Sequence, residues 1–444
     1  MKKTFKTPIN PVVTVPFNLF LLSFKTSFNR CLLLSVFTVG IHLASIAQGN
    51  SKLLETILQS DPALKKVIDA KKKYKPQILY TQINRDANQH PSFKTHSYLV
   101  DSNQYFYCAS LVKLPVSILA LEKLNRLAVP GLTRRSPMLT DSANLCQKKN
   151  FVDSSSQNFY PSIEHHIKKM LLVSDNQSFG RVFEFVTPPE IQSRLTALGY
   201  PRARIVHRLD PACVGKGNTY FNPIRFLNDS NRVIYSQPAD SLHEPILPVF
   251  KNLVLGRNIY NKKKRLISEK KDFTNSNYLS LNMIHHMLMD LVFMNEVPPG
   301  RRYKISEDDR QFLLTQLGSY PRESQFPAYP SKPYYDSFKK YFIYGSVQQI
   351  IESDSIRVFN IVGRAYGFII DCAYIVDYKA NIEFFLSSVI YVNKRNSFGS
   401  GKYEYDAVGL PFLKELSLAL YSHEKNRQKK HLPNLESVNF FKTP

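Results

Sequence analysis

The chain has 444 residues, 43% hydrophobic and 12% aromatic, a composition that supports a large buried core and excludes a disordered chain. Its formal charge is +24. The cations are scattered, with clusters only in KKKY (71–74) and NKKKRLISEKK (261–271), so the charge describes a solvated basic surface suited to an anionic neighbourhood such as a cell-envelope polymer. Neither cluster has the interleaved aromatics or the fold signature of a nucleic-acid module, and no nucleic-acid partner is expected.

The first fifty residues stand apart. Lys2, Lys3, Lys6, Lys25 and Arg30 occur there without an acid, and an uncharged run from Cys31 to Ala47 ends in Ser45-Ile46-Ala47. A basic segment, an apolar segment and a small-residue end describe a secretory signal over residues 1–47, with cleavage after Ala47 and export to the periplasm or cell envelope. The basic lead is long for a signal, which leaves an over-extended start or an uncleaved anchor as alternatives. No later segment is long enough to span a membrane, so no integral membrane domain is expected after signal removal. Removing the five leader cations leaves 54 Lys and Arg against 35 Asp and Glu, a charge of +19. Four cysteines remain, Cys108, Cys146, Cys213 and Cys372, which allow three pairings between which the sequence does not choose, with free buried thiols as an equal alternative.

Beyond the leader, SKLLETILQSDPALKKVIDAKKKY reads as a helix that restarts near Asp61-Pro62. Two strands of a hairpin follow, at 77–86 and 95–101, where β-branched and aromatic residues recur between turn residues. An apolar helix begins at Ser110. The middle is largely helical: 161–173 is amphipathic, Thr187-Pro-Pro-Glu190 is a capping-box start with Gly199 near the helix end, and 280–293 and 306–320 repeat the pattern. Strands return at 355–363, 365–378 and 381–393, and a helix over 406–424 closes the chain. This order predicts an α/β (α+β) unit over 50–444: an antiparallel sheet built from both chain ends, flanked by helices, with an inserted helical lobe at about 110–345.

Chemistry enters at FYCASLVKLP, residues 106–115. Ser110 and Lys113, three apart on a helix, share a face, so the amine can reach the hydroxyl. An amine serves as base to a serine only when burial or cationic neighbours lower its pKa. The spacing alone is weak, since Ser268-Glu-Lys-Lys271 and Ser337-Phe-Lys-Lys340 also match it. Ser110 differs in its apolar setting after a hairpin, and in Ser174-Asp175-Asn176, sixty-four residues downstream between two helices. S-x-x-K followed by S-D-N is the signature of class A β-lactamases and penicillin-binding proteins.

The chain therefore resembles the penicillin-recognising serine hydrolases, in particular a class A β-lactamase-like branch. The element order over roughly 50–444 is similar to that family's β-lactamase/transpeptidase-like order. SEKKDFTNSN, YPRES and VGRAYGFIIDCAYIVD look like an exported bacterial serine hydrolase subgroup with an extended lobe, here about 224–345. The resemblance implies Ser110 as nucleophile, Lys113 as its base, Ser174 as a relay to the leaving group and Asn176 as a partner of the substrate amide, with Asp175 holding its loop. It implies no metal or organic cofactor.

Two departures follow from the resemblance. The third motif, K-[ST]-G, reads Ile361-Val362-Gly363, which removes a cation that binds the substrate carboxylate and lowers the pKa of the base. Arg364 is adjacent but on the opposite strand face, so it is no simple replacement. Gly363 still admits a substrate, and the Arg364 N–H joins that of Ser110 as an oxyanion hole. The family's deacylating glutamate is also missing: between Glu190 and Glu244 there is none, and Asp210 is expected to fix its loop, pairing with Arg208. The expectation is an acyl-enzyme hydrolase for an amide or ester related to cell-wall peptide or β-lactam, with slow deacylation. The alternative is a cell-envelope binding protein that keeps the fold with impaired catalysis.

His165-His166 and His285-His286 lie on predicted helices, where neighbours point apart, so no metal site is expected from them. Tyr366 and Tyr374 are placed like core or pocket-wall residues. The basic cluster in the extended segment reads as a solvated hairpin.

Overall fold

In the computed structural model, residues 49–143, 147–210, 215–261, 263–353 and 355–441 are described; the expected signal segment, Cys146 and Cys213 lie outside the described residues. The first helical stretch divides at its proline into α1 (Lys52–Ser60), α2 (Pro62–Asp69) and α3 (Lys71–Tyr74). Asp61 sets the break by capping α2, its Oδ1 accepting the N–H groups of Ala63 (2.8 Å) and Leu64 (3.0 Å).

The main sheet has five antiparallel strands, drawn from both ends of the described chain. They are β1 (Gln77–Arg85), β2 (Pro91–Tyr98), β3 (Ile356–Ala365), β4 (Phe368–Asp377) and β5 (Ile382–Tyr391), in the order β3-β4-β5-β1-β2. β1 joins the two ends, with Gln77 opposite Val389 and Ile78 opposite Tyr98. β2 begins four residues before its expected start because the hairpin turn is short: Asp86 Oδ1 accepts the N–H of Asn88 and of His90 and closes it at once.

Alternation along the strands feeds two cores. Leu79, Ile361 and Ile370 face a core shared with the lobe, whereas Ile78, Val362 and Ile369 face a second one that contains Leu54, Leu64 and Leu416. Helices cover both faces, which explains why every residue of β4 is buried. The lobe helices are α4 (Lys113–Leu127), α5 (Ile163–Val173), α6 (Asn176–Val186), α7 (Pro188–Ala197), α8 (Leu281–Val292) and α9 (Glu307–Gly318); α10 (Leu410–Asn426) closes the other face.

Two local expectations are corrected. Thr187 makes no side-chain cap to α7, because its φ of +73° turns the hydroxyl away, and Glu190 pairs with Lys123 and Arg126 instead. Ser306 and Asp309 do form a reciprocal capping box on α9. The extended segment is not all helix: short strands at Ile224–Leu227, Val233–Gln237, Asn258–Tyr260 and Leu266–Ile267 occupy much of it. The last two pair antiparallel and place the NKKKR cluster in a hairpin connection.

β3 pairs only with β4 in this sheet and so presents an open edge. The segment from Asp336 to Ser346 runs past that edge and is clasped from behind. Asp371 accepts the N–H groups of Tyr341 (3.2 Å) and Phe342 (3.0 Å) and the amide of Asn360 (2.9 Å). Lys340 Nζ donates to the carbonyls of Leu317 (2.6 Å) and Val358 (2.7 Å) and to Asn360 Oδ1 (3.0 Å). Burial of these groups away from water requires such complete pairing.

Candidate active site

Ser110 lies in a 3-10 turn, Ala109–Val112, that runs directly into α4. The hydroxyl is therefore on the first turn, with the helix interior beginning at Lys113. Ala109 has a φ of +47°, a conformation that costs an L-residue about 1–2 kcal/mol. Such strain at a turn fixes the direction of the next side chain. β3 supports the turn from the side: a Cβ on Gly363 would lie 2.7 Å from the carbonyl oxygen of Cys108, so only glycine permits this approach.

Lys113 is fully buried, and its Nζ meets four oxygen atoms. These are Ser110 Oγ (2.9 Å), Ser174 Oγ (2.9 Å), Ser174 O (2.6 Å) and Asn176 Oδ1 (2.8 Å). Ser174 Oγ is also 2.8 Å from Ser110 Oγ, which closes a triangle of nucleophile, amine and second hydroxyl. Desolvation pushes the Lys113 pKa well below its ordinary value; the charge of Lys339 lowers it further, and Asp175 opposes by a smaller amount. A neutral amine is the form that accepts a proton from serine.

The helix ends explain how the second triplet reaches this point. α5 terminates at Ser174, whose φ of +64° reverses the chain, and Asp175 then caps α6 by accepting the N–H of Ser178 (2.6 Å). Asn176 follows as the first residue of α6. Asp175 thus holds the loop, as expected, and the two flanking side chains turn to Lys113.

The third-motif region divides as alternation predicts. Ile361 is 1% exposed, in the same apolar core as Leu111 and Val112, while Arg364 is exposed with its guanidinium 5.5 Å from the ring centroid of Tyr405. The Arg364 side chain is therefore directed away from Ser110, and only its backbone bears on the site. Tyr107 and Tyr366 meet edge to face at 5.0 Å beside the nucleophile turn; Phe273, from the extended segment, also meets Tyr366 edge to face at 5.5 Å, and Lys271 Nζ lies 5.0 Å over that ring. Tyr374 is core, its hydroxyl donating to Glu383 (2.7 Å).

Arg208 corrects the expected loop pairing. Its guanidinium binds Glu184 of α6 and the carbonyls of Gly217 (3.0 Å) and Tyr220 (2.7 Å), so Arg208 ties the loop to α6 through Glu184, where Asp210 was the expected partner. Asp210 acts electrostatically on Arg181. Among the described residues, the hydrogen-bond partners of Ser110 and Lys113 include no carboxylate.

His165 pairs with Asp153 (3.1 Å) and His285 bridges Thr81 and Ser387 (2.8 and 2.7 Å), so both are structural partners. No group of three His, Cys, Asp or Glu side chains suited to a metal converges among the described residues. Nor is any described helix long and apolar enough to cross a membrane. Cys108 and Cys372 are buried free thiols, Cys372 Sγ accepting from Ser387 (2.9 Å).

Lys339 is the residue that sequence reasoning missed. It lies inside the Ser337-Phe-Lys-Lys340 match that looked like chance, and its signal was a pair of lysines in an aromatic run, YYDSFKKYFIY. Cations so placed have to be buried and paired.

A family model described as the beta-lactamase enzyme family matches residues 60–421. No curated protein matches the chain. Among solved structures, a beta-lactamase from Sphaerobacter thermophilus is 10% identical, with 85% of this chain and 98% of that one covered at a TM-score of 0.43. A class A beta-lactamase from Clostridium kluyveri is 11% identical (81% and 97% covered, TM-score 0.45), and a beta-lactamase from Streptomyces albus G is 12% identical (81% and 99%, 0.43).

Proposed function

Because the chain belongs to the beta-lactamase enzyme family and is a β-lactamase-like serine hydrolase by that membership, we propose that it acts through an acyl-enzyme on Ser110. The observation that carries this reading is the buried, neutral-leaning Lys113 within 2.9 Å of both the Ser110 and the Ser174 hydroxyls. As Ser110 Oγ bonds to the acyl carbon, its proton passes to Lys113 Nζ. The C–N or C–O bond then breaks, and that proton reaches the leaving group through Ser174 Oγ, which gives up its own proton and takes one from Lys113. The N–H groups of Ser110 and Arg364 hold the oxyanion, and Asn176 orients the substrate amide.

Water attack is the weaker half-reaction, since no carboxylate stands among the described partners of the nucleophile. The substrate class is an amide or ester related to cell-wall peptide or β-lactam, released slowly. Export to the periplasm or cell envelope belongs to the same reading, supported by the basic and apolar leader, and the +19 surface suits an anionic envelope polymer. One observation favours a second reading: the buried Ile361 where the family has lysine suits a binding protein with impaired catalysis.

Intact mass after incubation with a fluorescent penicillin and, separately, a fluorophosphonate decides between them. A one-equivalent adduct absent from Ser110→Ala supports the acyl-enzyme, and its lifetime measures deacylation. An unlabelled wild-type chain with both probes sinks the catalytic reading in favour of the binding protein. Rapid nitrocefin turnover overturns the slow-release step.

A further inference from the structure

Two lysines end on one helical turn. Lys113 Nζ donates to the Ser174 carbonyl (2.6 Å) and Lys339 Nζ to the Leu171 carbonyl (2.8 Å), three residues apart at the C-terminus of α5. Unpaired carbonyls there form the negative end of the helix dipole and attract cations. Lys113 is 0% and Lys339 8% exposed, and two ammonium groups so close and so dry repel one another.

We infer that Lys113 and Lys339 hold one proton between them, with Lys339 carrying it and so supplying, from the 336–346 segment, the cation that Ile361 does not supply from β3. The inference rests on the acyl-enzyme reading above.

The contacts of Lys113 allow this placement. A neutral Lys113 has two N–H donors and one lone pair. With the donors on Ser174 O (2.6 Å) and Asn176 Oδ1 (2.8 Å), the lone pair is left for the Ser110 hydroxyl 2.9 Å away, and the Ser174 hydroxyl donates to Ser110 Oγ. Lys339 is held where its charge is useful: its φ is +63°, and Asn360 Nδ2 donates to its carbonyl (2.9 Å). The neighbouring charges favour the same order. Facing Lys113 are Lys339 and Asp175, the latter engaged in capping α6, and beyond Asp175 stands the Tyr329 phenol, whose pKa is raised by burial. Behind Lys339 stand Lys340 and Asp371, whose carboxylate favours the Lys339 charge. Burial lowers Lys339 to about 7, and burial together with the charge of Lys339 pushes Lys113 well below its ordinary value.

A buried cation at this location tunes the base without meeting the substrate. Lys339 is therefore a positioning residue, and its effect is the same on substrates with and without a carboxylate. Adduct formation on the full chain, followed by intact mass from pH 5 to 10, tests this with fluorescent penicillin, which bears a carboxylate, and a neutral fluorophosphonate. In Lys339→Met the midpoint of the rate against pH moves up by about one unit or more, and both probes slow about tenfold at pH values below the wild-type midpoint, since one pKa unit is tenfold in protonation there. Lys339→Arg, permanently charged, restores the wild-type profile. An unchanged profile in Lys339→Met, or slowing confined to the penicillin, overturns the inference. Should Lys339→Met fail to fold, the wild type decides: with lysine carrying ¹³C at Cε, NMR titration is expected to find Lys113 losing its proton at a lower pH than Lys339, and the reverse order, or two amines that stay charged up to the ordinary lysine range, overturns it. A wild-type chain that labels with neither probe refutes the acyl-enzyme reading separately, and the titration still reports where the proton lies.

Discussion

At the residue scale, the buried amine of Lys113 determines what the serine can do. Arginine at this position retains positive charge at every accessible pH and cannot accept the serine proton. Lys113→Arg should therefore reduce Ser110 labelling by about 10²–10⁴-fold, the usual worth of a general base, in a stopped mass assay. The pH dependence has a definite sign. The folded pKa of Lys113 lies below its ordinary value, so the reactive neutral form fills as pH rises and labelling should plateau well below the ordinary lysine range of about 10.4. Stability follows the same direction: the unfolded chain binds the extra proton, so folding gains as pH rises from the folded pKa to the ordinary one. Ser110, Lys113, Ser174 and Asn176 were legible because each lies in a short local motif. Lys339 was not, because its partner Leu171 is far away in sequence and comes near only through the fold.

At the scale of elements, the nucleophile turn and β3 are fitted against each other through backbone. Gly363→Ala places a methyl carbon against the Cys108 carbonyl, and neither atom belongs to a flexible side chain. Overpacking of this kind costs about 1–3 kcal/mol, and here the strain falls on the turn that aims Ser110. The variant should melt earlier and label more slowly, whereas the same substitution at Gly300, with open space around it, should leave labelling unchanged. Strand identities were readable from β-branched and aromatic runs because β3, β4 and β5 are covered on both faces. The α7 start was read correctly but its capping box was not, because Thr187 has a cap residue's chemistry without its backbone angle. Short strands in the extended segment have only two to five residues, too few for alternation to register.

For the molecule as a whole, the order of elements carried the architecture: strands at both ends and helices between them leave few ways to form one sheet. Tertiary pairing was harder to foresee. Arg208 and Glu184 are both fully buried, and removing one partner leaves an uncompensated charge. Glu184→Gln should lower stability by about 3–5 kcal/mol in chemical denaturation, with slower labelling only to the extent that the 203–221 loop loosens. If the loss is under 1 kcal/mol, the guanidinium has found another partner and the loop is held otherwise.

The clasped segment that passes the open edge of β3 has a consequence for timing. The nucleophile lies in the first third of the chain, but the strand that braces it and the lysine beside its base come after residue 336. Until those late residues are in place, the turn that carries Ser110 lacks its brace from β3 and Lys113 lacks the neighbouring charge of Lys339. The reactivity proposed for Ser110 is therefore expected to arrive together with the finished fold, not while the chain is still emerging from its N-terminus.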